Sequence, residues 1–211
     1  MRSGIEAMTL EVIFAFALTS MLIEMTPGPN MAYLALLAAT EGRRAGFAAV
    51  LGVALGLAVV GLLAAFGVAA LISASEPLYQ ALRWGGVVYL LWLAWDGWRG
   101  GDAAVEHAPL GSTDWRYFRR GLITNLLNPK AAVFYIAVLP TFLTVNAGIH
   151  ETLILSTVYV AVATLIHAGI VSLAGSAQAF FADPLREARL RKTLSVALAL
   201  VAVWFAFKTA R

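Results

Sequence analysis

Two charged residues, Glu24 and Lys130, lie inside long apolar stretches of the sequence, where a charge is costly. Each stands at a proline-containing break: Glu24 precedes the segment 26–30 (TPGPN), and Lys130 closes the segment 125–130 (NLLNPK). A carboxylate can carry a proton or bind an ammonium group, and a lysine ammonium group can bind a carboxylate. The two residues therefore predict a site that handles ions in an apolar environment.

The two breaks predict a pair of new helix starts. A proline removes a backbone donor and clashes with the preceding turn, so neither stretch forms one continuous helix. Pro29 and Pro129 suit the first position of a helix, with Gly28 and Asn128 as the capping residues. Each start would carry unpaired amide donors and a partial positive charge, which suits a carboxylate. We expect the two starts to face each other.

An anion-receiving pair of helix starts beside an intramembrane acid suggests a zwitterion, such as a free amino acid. Its carboxylate would bind the amide ends and Lys130, and its ammonium group would bind Glu24 or the side-chain carbonyls of Asn30 and Asn125. The predicted substrate-binding residues are Thr26, Pro27, Gly28, Pro29, Asn30, Asn125, Asn128, Pro129 and Lys130. For Lys130 the alternative is neutralisation of a neighbouring acid, and for the Pro-Gly-Pro break it is a packing kink.

Three titratable side chains in or beside the apolar stretches could carry a proton: Glu24, Asp96 and His167. His167 lies in the middle of an uncharged stretch and is the type of side chain that titrates near neutral pH. An interhelical hydrogen bond is the alternative for His167, and an interfacial ion pair is the alternative for Asp96. Glu24 could instead cap backbone donors.

The elements that position these residues are membrane helices. The 211 residues are 61% hydrophobic and 13% charged, whereas globular domains are about 45–50% apolar and about 25% charged. In water, this excess would expose large apolar patches. The sequence has no cysteine, which excludes disulfides, thiolate metal sites and cysteine nucleophiles. Its basic residues form short clusters between apolar runs, a pattern of membrane topology rather than of nucleic-acid binding.

Two uncharged stretches, 45–75 and 152–182, exceed the roughly 20 apolar residues that a membrane-spanning helix needs, and four others are shorter or interrupted. The six stretches are residues 12–40, 45–75, 77–98, 121–143, 152–182 and 193–207. The connections 41–44, 99–120 and 183–192 hold ten basic residues, against three at the opposite side (Arg2, Lys208 and Arg211). By the positive-inside rule, these connections lie in the cytoplasm and both termini in the periplasm. The lipid bilayer is therefore a predicted partner of the chain. Met8, just before the first apolar stretch, is an alternative translation start to Met1.

The chain reads as one transmembrane domain, residues 1–211, made of two three-helix halves, 9–98 and 116–208. Helices 1 and 4 are broken by proline, and helices 2 and 5 are uncharged. A repeat with an odd number of spans is inverted in its second copy. The predicted fold is thus an all-α integral membrane protein with six transmembrane helices in two inverted repeats. Gly52 and Gly56 predict close helix packing, with a contact between two copies as the alternative.

At these motifs the sequence resembles the LysE/RhtB superfamily of amino-acid exporters. The resemblance rests on segments 26–30, 42–46 (GRRAG), 119–121 (RRG) and 128–131 (NPKA), and extends over roughly residues 9–208. It implies six helices, a bacterial inner-membrane location, and efflux of amino acids or close derivatives coupled to proton influx. Many members have an acidic residue where this chain has Asn30, which makes Glu24 the acid of greater interest here.

Other functions are disfavoured by missing motifs. The sequence lacks a phosphate-binding loop, so ATP hydrolysis within the chain cannot drive transport. It also lacks a His-Glu-x-x-His pair and a Gly-x-Ser-x-Gly elbow, which argues against a membrane-embedded enzyme. We therefore expect no enzymatic activity, no cofactor, no metal and no nucleic-acid partner. A passive channel for small solutes is the alternative function. The sequence does not determine which amino acid is carried or whether the chain forms a homo-oligomer.

Overall fold

The computed structural model describes residues 9–25, 28–67, 75–99, 112–143, 148–178 and 184–208. Within these ranges the elements are helical. They are α1 (Leu10–Glu24), α2 (Pro29–Glu41), α3 (Arg43–Ala65), α4 (Glu76–Trp98), α5 (Ser112–Leu126), α6 (Pro129–Val133), α7 (Ile149–Gln178) and α8 (Pro184–Lys208). A π-helical turn (Phe134–Val138) and a 3-10 turn (Leu139–Phe142) continue α6.

Two described helices are each long and apolar enough to cross a membrane, Arg43–Ala65 and Ile149–Ser176. Two bent pairs of helices reach the same length when each pair is counted as one span. The first joins α1 to α2 at 64°, and the second joins Asp114–Leu126 to Lys130–Phe142 at 50°. The predicted all-α membrane class is confirmed. Six spans in two inverted repeats stay a prediction, because α4 and the shorter apolar part of α8 (Lys192–Trp204) are not among these spans.

Both helix starts lie where the prolines predict them. α2 begins at Pro29, with Gly28 in extended backbone conformation as its N-cap. α6 begins at Pro129, and its N-cap Asn128 accepts a hydrogen bond from the backbone N–H of Lys130. Fixed φ and a missing donor suit proline to this first position. Thr26 and Pro27 lie outside the described residues.

Helices α3 and α5 cross with their backbones in close contact. A Cβ atom added to Gly52 would overlap the carbonyl oxygen of Phe118, and one added to Gly121 would overlap the carbonyl oxygen of Ala49. One turn further along α3, a Cβ on Gly56 would lie 2.9 Å from the side chain of Asn125. The small face of α3 therefore serves packing within the chain, as predicted.

The basic connections meet at one end of the bundle. Arg44 at the start of α3 forms an ion pair with Asp114 of α5, with 2.8 Å between Nη2 and Oδ2. Arg43 donates a hydrogen bond of 2.6 Å to the hydroxyl of Ser176 near the end of α7. Lys192 of α8 lies 5.3 Å from a tryptophan ring of α4. These contacts bring the three basic segments to the same end, which the sequence predicts to be cytoplasmic.

Candidate functional site: an ionic crevice between two helix breaks

Glu24, the last residue of α1, is buried, with 4% of its surface exposed. Its Oε1 accepts a 2.6 Å hydrogen bond from the hydroxyl of Tyr159. Its Oε2 lies 3.6 Å from Nζ of Lys130 and 3.7 Å from Nε2 of His167. A carboxylate removed from water needs partners of this kind, because desolvation of an unpaired charge is expensive. Helices α1, α6 and α7 therefore meet at one carboxylate.

Helix α7 supplies two of these partners from a single stripe. Leu155, Tyr159, Ala163, His167 and Val171 recur every fourth residue, and each has at most 1% of its surface exposed. Residues at this spacing share one helix face, so the stripe points into the bundle. Tyr159 and His167 are two turns apart on it, and both reach Glu24.

The interhelical hydrogen bond considered for His167 is not formed. Neither of its ring nitrogens has a hydrogen-bond partner among the described residues, although the side chain is almost completely buried. Its Nε2 lies instead at ion-pair distance from Glu24, an attraction that exists only when the ring is protonated. His167 can therefore change the charge balance at Glu24 by gaining or losing a proton.

A narrow crevice brings the two breaks together. Its lining comes from the first break (Glu24, Gly28, Pro29, Asn30 and Met31) and from the second break (Asn128 and Lys130). It has no room for a water-sized sphere. A ligand could enter this crevice only if the two breaks separated.

Two buried asparagines form a direct link between α2 and α5. Asn30 Nδ2 donates a 2.9 Å hydrogen bond to Asn125 Oδ1. Asn30 Oδ1 and Asn125 Nδ2 have no hydrogen-bond partner among the described residues. A buried polar group without a partner costs about 1–3 kcal/mol. The pair therefore retains one acceptor, which suits an ammonium group, and one donor, which suits a carboxylate.

The second break differs from the prediction of unpaired amide donors. Asn128 Oδ1 accepts from the backbone N–H of Lys130 at 3.0 Å, and the Asn128 carbonyl oxygen accepts from the N–H of Ala131 at 3.1 Å. The prediction was wrong here because the capping side chain folds back onto its own helix. At this break the formal positive charge is the ammonium of Lys130, which lies 3.6 Å from Glu24.

Asp96 lies apart from the Glu24 cluster. Its Oδ2 is 2.9 Å from Nη1 of Arg120, and both side chains line a different cavity. Across the described ranges, no group of three or more His, Asp or Glu side chains could hold a metal ion. Glu24 and His167 are thus the two proton-coupling candidates that the structure brings together.

Sequence reasoning missed Tyr159. Its ring stacks on Phe134 at 3.7 Å between centroids, and its hydroxyl lies closer to Glu24 than Lys130 or His167 does. A signal was present, because Tyr159 precedes His167 by eight residues within an uncharged stretch. That spacing places both polar groups on one helix face.

The LysE type translocator family matches residues 21–211 of the chain. The chain belongs to this family. The resemblance seen in the sequence motifs is thereby confirmed, and this LysE type translocator is a multi-pass membrane protein. No solved structure matches it.

Curated relatives of this chain include three efflux proteins. The homoserine/homoserine lactone efflux protein of Salmonella typhi is 31% identical over 197 residues, which cover 92% of this chain and 95% of the relative. The threonine efflux protein of Salmonella typhi is 31% identical over 145 residues, covering 66% of this chain and 70% of the relative. The leucine efflux protein of Enterobacter sp. (strain 638) is 34% identical over 139 residues, covering 64% of each chain.

Proposed function

We propose that this protein is a secondary transporter that exports an amino acid or a close derivative across the bacterial inner membrane, coupled to proton influx. Relatives named as homoserine, threonine and leucine efflux proteins support the amino-acid class and a role in transport rather than catalysis. Glu24 and Lys130 form an opposite-charge pair in a crevice lined by both helix breaks. This pair is the main support for placing the substrate there.

In this proposal, the zwitterion replaces an internal ion pair. Without substrate, Glu24 and Lys130 neutralise each other at 3.6 Å. When substrate enters, Lys130 pairs with its carboxylate, and Glu24 pairs with its ammonium group. The net charge of the buried site then stays the same, which avoids the cost of an uncompensated charge in low dielectric. An anion or a cation alone would not achieve this balance.

The remaining proposed binding groups come from the segments that contain the two breaks. The proposed set is the segment 26–30 with Asn125, Asn128, Pro129 and Lys130. Within it, Asn30 Oδ1 and Asn125 Nδ2 are polar atoms without partners among the described residues, so they can bind substrate without breaking an existing bond. The start of α2 adds backbone amides, since the first donors of a helix have no partner inside it.

Proton coupling is proposed to act through Glu24, with His167 as the neighbouring titrating group. A proton on Glu24 removes the charge that holds Lys130, whereas a proton on His167 adds a second cation 3.7 Å from the same carboxylate. Either event weakens the hold of Glu24 on Lys130. Protonation and substrate binding are thereby linked through one carboxylate. Asp96, paired with Arg120 elsewhere, is the third candidate.

Inverted membrane vesicles test the proposal, because the cytoplasmic face is then exposed to the added solute. Labelled L-homoserine, L-threonine and L-leucine are supplied with an imposed pH gradient, with and without a protonophore. The wild-type protein should accumulate at least one of them, saturably and only without the protonophore. Lys130→Met should abolish accumulation, whereas Lys192→Met, a change at an exposed lysine, should preserve it.

Two results would contradict the proposal. Flux that does not saturate and persists with the protonophore would indicate a passive channel. If none of the three amino acids is transported, the proposed export of amino acids of this kind is wrong.

A further inference from the structure

A second polar cavity lies between α2, α4 and α5, at the end of the bundle that is predicted to be cytoplasmic. It has a volume of about 40 Å³, enough for about three or four water-sized groups at about 10–15 Å³ each. Three leucines line it, and its polar lining consists of Tyr33, Thr40, Glu41, Asp96, Arg116, Tyr117 and Arg120. It therefore combines two cations and two acids with an apolar wall.

The charged groups of this cavity are held in pairs. Arg120 Nη1 lies 2.9 Å from Asp96 Oδ2. The Tyr117 hydroxyl donates to Glu41 Oε2 at 3.1 Å and accepts from Arg116 Nη2 at 3.1 Å. Glu41 is exposed, whereas the side chain of Arg120 is only 15% exposed. The cavity thus runs from an open mouth at Glu41 towards a partly buried ion pair.

Tyr33 is the feature of this cavity that a purely structural ion-pair cluster does not explain. Only 3% of its surface is exposed, and its hydroxyl has no hydrogen-bond partner among the described residues. An unpaired buried hydroxyl is unfavourable, and native structures rarely keep one without a reason. Tyr33 also lies one turn from Asn30 on α2, on the same face. Its neighbour on that face lines the Glu24 crevice.

We infer that this cavity is a second, cytoplasmic-end binding site for the amino-acid zwitterion, occupied before the substrate reaches the Glu24 crevice. The inference rests on the proposed function. Arg116 and Arg120 bind the carboxylate, Glu41 and Asp96 bind the ammonium group, and the Tyr33 hydroxyl supplies a further hydrogen bond. The whole amino acid exceeds the present volume, so its binding replaces the Arg120–Asp96 and Tyr117–Glu41 contacts and frees α2 from α5.

The test is Tyr33→Phe, because this change removes only the unpaired hydroxyl. Uptake of the transported amino acid into inverted vesicles is measured as a function of its concentration. Loss of one hydrogen bond to the substrate should raise the apparent KM by about three- to tenfold. The maximal rate should stay within about twofold of wild type, because the Glu24 crevice is unchanged. The midpoint of thermal unfolding should not fall, since no protein–protein hydrogen bond is lost.

Ser195→Ala is the matched control. Ser195 is 2% exposed, and its hydroxyl also lacks a partner among the described residues, but it lies between α8 and α4, outside this cavity. Its apparent KM should equal that of wild type. An unchanged KM in Tyr33→Phe, or an equal rise in Ser195→Ala, overturns this inference alone. Absence of amino-acid uptake by the wild-type protein overturns it together with the proposed function.

Discussion

The hydroxyl of Tyr159 donates a 2.6 Å hydrogen bond to Glu24 and thereby joins α7 to the last residue of α1. The other oxygen of the same carboxylate lies 3.6 Å from Lys130 at the start of α6. One carboxylate therefore connects α1 to two elements from the second half of the sequence. A change in its charge or position acts on both helix breaks at once.

Glu24→Gln should destabilise the protein by about 3 kcal/mol, because it leaves the ammonium of Lys130 partly buried without its counter-charge. Lys130→Met should have a similar cost for the converse reason. The double variant Glu24→Gln/Lys130→Met should recover most of the loss, since no unpaired charge then remains. The free energy of unfolding in detergent, measured for all four proteins, checks this. Additive losses in the double variant would show that the two charges are not coupled.

Tyr159→Phe should reduce transport by about tenfold, because the Glu24 carboxylate loses a hydrogen bond that is worth about 1.5–3 kcal/mol when one partner is charged. The ring itself should keep its stacking contact with Phe134. Initial rates of uptake in vesicles, normalised to the amount of protein, provide the measurement.

Tyr135→Phe is the matched control for Tyr159→Phe. Tyr135 is equally buried, and its hydroxyl donates to the backbone carbonyl oxygen of Leu57 rather than to Glu24. Its variant should transport within about threefold of wild type, because a neutral hydrogen bond contributes about 1 kcal/mol or less. Equal losses in both variants would mean that packing, and not the bond to Glu24, decides the rate.

Gly52→Ala should prevent normal packing of α3 on α5, because the new methyl group would overlap the carbonyl oxygen of Phe118. The helices must move apart, and overpacking of this kind typically costs about 1–3 kcal/mol. Gly169→Ala on α7 adds the same group where no atom lies within 4 Å, so it should leave stability unchanged. The yield of monodisperse protein and its unfolding midpoint distinguish the two. Normal stability of Gly52→Ala would contradict the observed crossing.

The sequence is informative where structure depends on local sterics. Pro29 and Pro129 fix the two helix starts, because the absence of a donor and the restricted φ act within a few residues. Glu24 and Lys130 stand out because charges inside apolar stretches are rare. The membrane fold class follows from composition, because a chain that is 61% hydrophobic and 13% charged would expose large apolar patches in water.

The contacts of the site depend on how the helices rotate and pack, which is a property of the whole bundle. Tyr159 and Glu24 are separated by 135 residues, and no local pattern states that they touch. Asn128 was predicted both to cap α6 and to bind substrate, and the structure shows the cap. The second cavity was missed because Tyr33, Glu41 and Arg116 are unremarkable singly and become a group only when α2 packs near α5.

The central claim is that the substrate lies in the crevice between the two breaks, and cysteine protection at Met31 tests it most directly. Met31 lines that crevice, and the chain has no native cysteine, so Met31→Cys introduces a single thiol, which maleimide reaches when the two breaks separate. Thr141→Cys, at an exposed position of the 3-10 turn, is the control. The transported amino acid, at ten times its Kd, should slow maleimide labelling of Met31→Cys by about tenfold. Labelling of Thr141→Cys should not change. Equal labelling rates of Met31→Cys with and without the amino acid would contradict a substrate site between the breaks.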